Sequence, residues 1–133
     1  MSSRAHRNIS SIFYSYIFLG WSMKILYVED DALTRLMLKS QIMSKFHDVF
    51  DAANGAEGLE KYKELSPDLV ITDISMPVMN GHEMIENIKS INPDANIIIT
   101  TAYRDDDEKL ENYVVVDKPI NVEKLLGYIN EVA

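Results

Sequence analysis

From Met23 onward, short apolar runs alternate with stretches of helical period. Lys24–Val28 (KILYV) reads as a buried strand, Asp48–Asp51 as a short second strand and Asp68–Thr72 (DLVIT) as a third. Ala95–Thr100 contains Ile97-Ile98-Ile99, a continuous apolar run that fits a central strand buried on both faces, and Tyr113–Val116 (YVVV) reads as a fifth strand. Between them, Leu33, Leu36, Met37 and Met43 fall near one face of a helix capped by Asp31. Asn54-Gly55 turns into a helix with Leu59, Tyr62 and Leu65 on its apolar side, ended by Pro67. Met84, Ile85, Ile88 and Ile91 mark a third helix, stopped by Asn92-Pro93, and Val122, Leu125, Leu126, Ile129 and Val132 mark a last one. Strands alternating with helices predict an α/β domain, a parallel sheet of five strands covered on both faces.

Composition agrees with one globular domain: 133 residues, 47% hydrophobic and 26% charged, with no Cys for disulfides or thiolate metal sites, which suits a reducing cytoplasm. The net charge of −8 is uneven, because residues 1–22 carry Arg4 and Arg7 and no acid. Residues 23–133 therefore hold 11 basic and 21 acidic groups, a net −10, which repels nucleic-acid phosphates and points to a cation or a basic protein surface as partner. Residues 1–22 are set apart as an N-terminal extension, either non-native or disordered or an added docking helix, preceding a domain at 23–133. Its apolar stretch Ile12–Trp21 is too short and too Ser-broken for a membrane span, which takes about 20 apolar residues.

In open α/β sheets, ligands sit at the carboxyl ends of the strands. There the pattern places Glu29, Asp30 and Asp31 after strand one, Asp73 after strand three, Thr100 and Thr101 after strand four, and Asp117, Lys118 and Pro119 after strand five. Carboxylates, a hydroxyl and an ammonium thus meet at one edge. Hard oxygen ligands in that number suit Mg²⁺, and Asp73 can act as a nucleophile toward a phosphoryl group while Lys118, the cation and Thr101 neutralise its oxygens. Taken singly, Glu29-Asp30-Asp31 reads better as a polar strand end plus a helix cap than as a metal site, Asp73 as a turn residue, and Lys118-Pro119 carries little meaning.

Taken in order, Val28-Glu29-Asp30-Asp31, then Asp73-Ile74-Ser75-Met76-Pro77-Val78-Met79-Asn80-Gly81, then Thr101-Ala102 and Lys118-Pro119, resemble the motifs of CheY-like response-regulator receiver domains of two-component signalling. The resemblance spans about residues 23–133 and implies a flavodoxin-like, doubly wound (βα)5 fold. It further implies phosphorylation of Asp73 by a histidine kinase or phosphotransfer protein, and Mg²⁺ held by Glu29, Asp30, Asp73 and the Ser75 carbonyl. Thr101 and Lys118 would contact the phosphoryl group, the Lys118–Pro119 bond would be cis, and the output would be docking to an effector protein.

Departures from that pattern leave other readings open. Only 11 residues separate Thr101 from Tyr113, so the fourth helix must be short, with Leu110 its one clear core residue and Asp105–Glu108 its start. The family's aromatic three residues before the lysine is Val115 here, and Tyr113 is a substitute only if the short crossover shifts the strand. Ser75 and Tyr103 fall where the family tunes hydrolysis of the phospho-aspartate. The alternatives are a pseudo-receiver that binds without phosphorylation and, with less support, an Mg²⁺-dependent phosphohydrolase, whose second catalytic Asp is replaced by Ser75.

Overall fold

The computed structural model describes residues 23–102 and 108–133; the readings placed on residues 1–22, on Tyr103 and on residues 105–107 lie outside the described residues. β1 (Lys24–Val28), α1 (Ala32–Met43), β2 (Asp48–Ala52), α2 (Gly55–Leu65), β3 (Leu69–Asp73), α3 (Gly81–Ile91) and β4 (Ile97–Thr101) follow one another. A 3-10 turn (Glu108–Leu110), β5 (Val114–Asp117) and α4 (Val122–Val132) complete the chain. Each α-helix among the described residues begins on an Asx cap: the side chains of Asp31, Asn54, Asn80 and Asn121 accept from the backbone N–H of Thr34, Glu57, Glu83 and Lys124.

The strands pair in parallel in the order β2-β1-β3-β4-β5. The chain steps outward from β1 to β2 and then returns to β3, so the order reverses between β1 and β3, where such sheets open a crevice. Side-chain alternation splits the core in two. Tyr27, Ile71, Ile98 and Val116 face α1 and α4 with Leu38, Ile42, Leu125 and Ile129. Val28, Val70, Ile99 and Val115 face α2 and α3 with Tyr62, Met84, Ile85 and Ile88.

Three expectations need correction. First, Leu33, Leu36, Met37 and Met43 do not enter the core; they are 66, 67, 56 and 47% exposed. The buried ridge of α1 is Leu38 and Ile42, continued toward the site by Arg35, whose guanidinium donates to the Glu29 carbonyl at 2.7 Å. The helix carries two apolar stripes of the same period, and the charge on Arg35 disguises the inner one.

Second, β3 and β5 run one residue later than expected, so Asp73 and Asp117 end strands and are not the first residues of loops. Third, the crossover does not shift β5 to bring Tyr113 toward Thr101. Asp117 pairs with Thr101 and Val114 with Ile98, which puts Tyr113 at the other end of the sheet, about 13 Å away at strand rise. There it packs on the α2/α3 side with Lys89 Nζ 5.8 Å from its ring centroid, while Val115 is buried in that core. The described part of the short crossover is the 3-10 turn that buries Leu110.

Candidate functional site

Glu29, Asp73, Thr100 and Lys118 continue, at the carboxyl ends of β1, β3, β4 and β5, the file of side chains that faces α1 and α4. The ladder extends past the strand ends: Glu29 N–H donates to the Ala52 carbonyl at 3.0 Å and Lys118 N–H to the Thr101 carbonyl at 2.9 Å. These backbone bonds aim the side chains before any ligand does. The Lys118–Pro119 peptide is cis.

Lys118 Nζ lies 2.8 Å from Asp73 Oδ2 and 2.9 Å from Glu29 Oε1. The second oxygens are also held: Asp73 Oδ1 accepts from Ile74 N–H at 2.7 Å, and Glu29 Oε2 from Asp31 N–H at 3.0 Å. Glu29 and Asp73 are 1 and 7% exposed, so their charges are poorly screened by water. Burial pushes the Glu29 carboxyl above its ordinary value, against the bonds from Asp31 and Lys118. Burial pulls Lys118 down, yet its bonds to Asp73 and Glu29 outweigh this and raise it, so the ammonium stays charged.

Glu29, Asp30 and Asp73 each offer a carboxylate oxygen, and these atoms lie within 4.8 Å of one another. Three hard oxygen donors, two buried and one exposed, suit a small divalent cation that keeps part of its water shell. Asp31, read from the sequence as a cap, is one: Thr34 N–H at 2.9 Å and Thr34 Oγ1 at 2.6 Å bond its carboxylate and lower its pKa. Thr101 is buried at the end of β4, where Thr100 and not Thr101 stands in register with Asp73. Ser75 is exposed, two residues beyond Asp73.

The segment after Asp73 is held tightly. Gly81 N–H donates to the Ile74 carbonyl at 2.8 Å, and Gly55 N–H, at the start of α2, to the Met79 carbonyl at 2.9 Å. A Cβ at Gly81 would lie 2.3 Å from the Asp73 carbonyl oxygen, and one at Gly55 2.3 Å from that of Met79, so both approaches require glycine. Between them Met79 N–H closes a tight turn onto the Pro77 carbonyl at 2.8 Å, and Val78 is left at φ 70° and 83% exposed. Positive φ at a β-branched residue is strained, and here flanking bonds enforce it.

The Response regulator receiver domain family model matches residues 25–130. The chemotaxis protein CheY of Bacillus subtilis is 37% identical over 116 residues, covering 81% of this chain and 95% of the relative. CheY of Thermotoga maritima is 48% identical over 80 residues, which is 59% of this chain and 67% of that protein. Among solved structures, the response regulator protein TrrA of T. maritima, in complex with Mg²⁺–BeF, superposes with a TM-score of 0.77 at 32% identity, covering 84% of this chain and 99% of that one. CheY4 of Vibrio cholerae gives 0.74 at 28% identity, over 84 and 98%. The matched span takes in residues of all five strands and of α4, and this chain belongs to the response regulator receiver domain family.

Proposed function

We propose that the protein accepts a phosphoryl group on Asp73 from the phosphohistidine of a kinase or phosphotransfer protein, and signals by docking to an effector protein in the cytoplasm. The observation that carries this reading is the Lys118 ammonium held between Asp73 and Glu29. In the transfer, an Asp73 oxygen attacks phosphorus, the phosphorus–nitrogen bond of the donor breaks, and the imidazole leaves with a proton from solvent. Asp73 becomes a mixed anhydride, and the three equatorial oxygens need positive charge or donors throughout. Lys118 supplies one such group and the Thr101 hydroxyl a second. Glu29, Asp30, Asp73 and the Ser75 carbonyl would hold Mg²⁺, which would supply charge neutralisation at the phosphoryl oxygens. The relative TrrA, solved in complex with Mg²⁺–BeF, supports that pairing of a cation with an anionic group.

The exposed stripe Leu33, Leu36 and Met37 supports docking of a helical phosphodonor, since α1 starts beside Asp31 and the groove at its flank reaches Lys118 and Pro119. A second reading, a pseudo-receiver, is favoured by Val115 and by the remote position of Tyr113, which leave the β5 edge without the family's aromatic near Thr101. Incubation with Mg²⁺ and acetyl phosphate followed by mass spectrometry separates the two. An adduct on the wild type that is lost in Asp73→Ala and on Mg²⁺ chelation is expected; no adduct, or an equal one on Asp73→Ala, overturns the phospho-acceptor reading.

A further inference from the structure

Two buried side-chain atoms among the described residues have no hydrogen-bond partner, the hydroxyls of Tyr27 and Thr100. Both residues are 0% exposed. They are not scattered. Tyr27 stands two residues before Glu29 on β1 and pairs with Ile71, which pairs with Ile98; Thr100 lies two residues beyond Ile98 and pairs with Asp73. On the face toward α1 and α4, the two hydroxyl residues therefore flank the same pair of carboxylates, one from below and one from the side.

A buried hydroxyl left unpaired costs about 1–3 kcal/mol, and Phe or Val would fill these positions with almost no change of shape. Two such costs at one place imply a partner in another state of the site. At rest Lys118 uses two of its three N–H donors on Glu29 Oε1 and Asp73 Oδ2. A phosphoryl group on Asp73 brings three new acceptor oxygens; the one free N–H of Lys118 can meet only one of them, and turning a second N–H toward them leaves a carboxylate oxygen behind. That oxygen is buried and needs a donor.

We propose that Tyr27 and Thr100 are positioning residues whose hydroxyls donate to the carboxylate oxygens that Lys118 releases on phosphorylation, and thereby set the lifetime of the phosphorylated state. The inference rests on the phospho-acceptor reading of Asp73. It assigns the two residues no contact with the transferred group.

The test uses the full chain as wild type, Tyr27→Phe, Thr100→Val, the double variant and Thr100→Ser. Each is labelled with acetyl phosphate, and the decay of the adduct is followed well below the melting temperature. The expected result is unchanged or raised Tm in the unphosphorylated variants, because an unpaired hydroxyl has gone. The adduct half-life should fall by about tenfold in each single variant, the equivalent of one hydrogen bond, and Thr100→Ser should restore it. Equal half-lives in wild type and variants overturn the proposal. So does a lowered Tm in both Tyr27→Phe and Thr100→Val, which would mean the hydroxyls are already paired at rest. A wild type that takes no adduct overturns the proposal and the phospho-acceptor reading together, whereas an adduct with equal lifetimes sinks this inference alone.

Discussion

Lys118 Nζ stands 2.8 Å from Asp73 Oδ2 and bridges it to Glu29, so one ammonium neutralises two nearly buried carboxylates. Lys118→Ala leaves those charges without it and is expected to lower the unfolding free energy by about 2–4 kcal/mol at neutral pH, measured by urea denaturation without Mg²⁺. The lysine's pKa is raised, so its contribution is fully present below the ordinary value of 10.5 and is lost as pH rises through the raised one. From the acid side, Glu29 takes up its proton above the ordinary 4.5, so the deficit of the variant should shrink as pH falls toward that range.

Val78 occupies positive φ with a β-branched side chain that is almost fully exposed. Asn tolerates this backbone conformation far better. Val78→Asn should raise stability by about 1 kcal/mol, read as a higher Tm, with no loss of phosphorylation by acetyl phosphate.

Gly81→Ala should do the opposite. Its Cβ would meet the Asp73 carbonyl oxygen and the Ile74 backbone, so the segment after the acceptor must move. A loss of about 2–3 kcal/mol is expected, together with weaker Mg²⁺ binding by calorimetry. Gly127→Ala in the middle of α4, where an added Cβ meets nothing within 4 Å, is the control: it should raise stability by about 0.5–1 kcal/mol and leave Mg²⁺ binding unchanged.

Asp51 ties β2 to α1 through Arg35 Nε at 3.2 Å and Lys39 Nζ at 3.0 Å. Partial burial raises its pKa, but the bond from Lys39 and the charges of Lys39, Lys61 and Arg35 outweigh that and lower it. A lowered carboxylate contributes stability that is present above its ordinary 3.8 and lost as pH falls through the lowered value. Asp51→Asn should therefore cost about 0.5–1 kcal/mol at pH 7, discounted for a site about a third exposed, and the difference should shrink as pH falls below 3.8. Thermal melts at pH 7 and pH 3 check this.

Leu36→Glu on the outer stripe of α1 should leave Tm within about 1 °C, since surface changes away from the core cost little. Acetyl phosphate labelling should be unchanged, while the rate of transfer from a cognate phosphohistidine donor should fall about tenfold or more, the loss of an anchoring apolar contact.

The strands were legible in the sequence because a central parallel strand must be apolar on both faces, and runs such as Ile97-Ile98-Ile99 permit little else. Glu29, Asp73 and Lys118 were legible as a group because the alternation of elements fixed which strand ends they share. The orientation of α1 was not. Periodicity identifies a stripe without saying which side of the helix faces the sheet, and Arg35, with its guanidinium engaged by Glu29 and Asp51, occupies an inward position that its charge alone argues against. The hydroxyl of Tyr27 was equally silent, since Tyr is an ordinary strand former, and Thr100, though placed at the end of strand four, carried no role of its own there. Only the register across three strands brings them beside the same carboxylates.

Asp73 is the last residue of a strand paired on both sides, with β1 and β4 as neighbours. Its backbone is an anvil: a blow struck there cannot be absorbed by the sheet. On the phospho-acceptor reading, the recoil passes into what lies beyond the strand end, the bracketed turn at Val78.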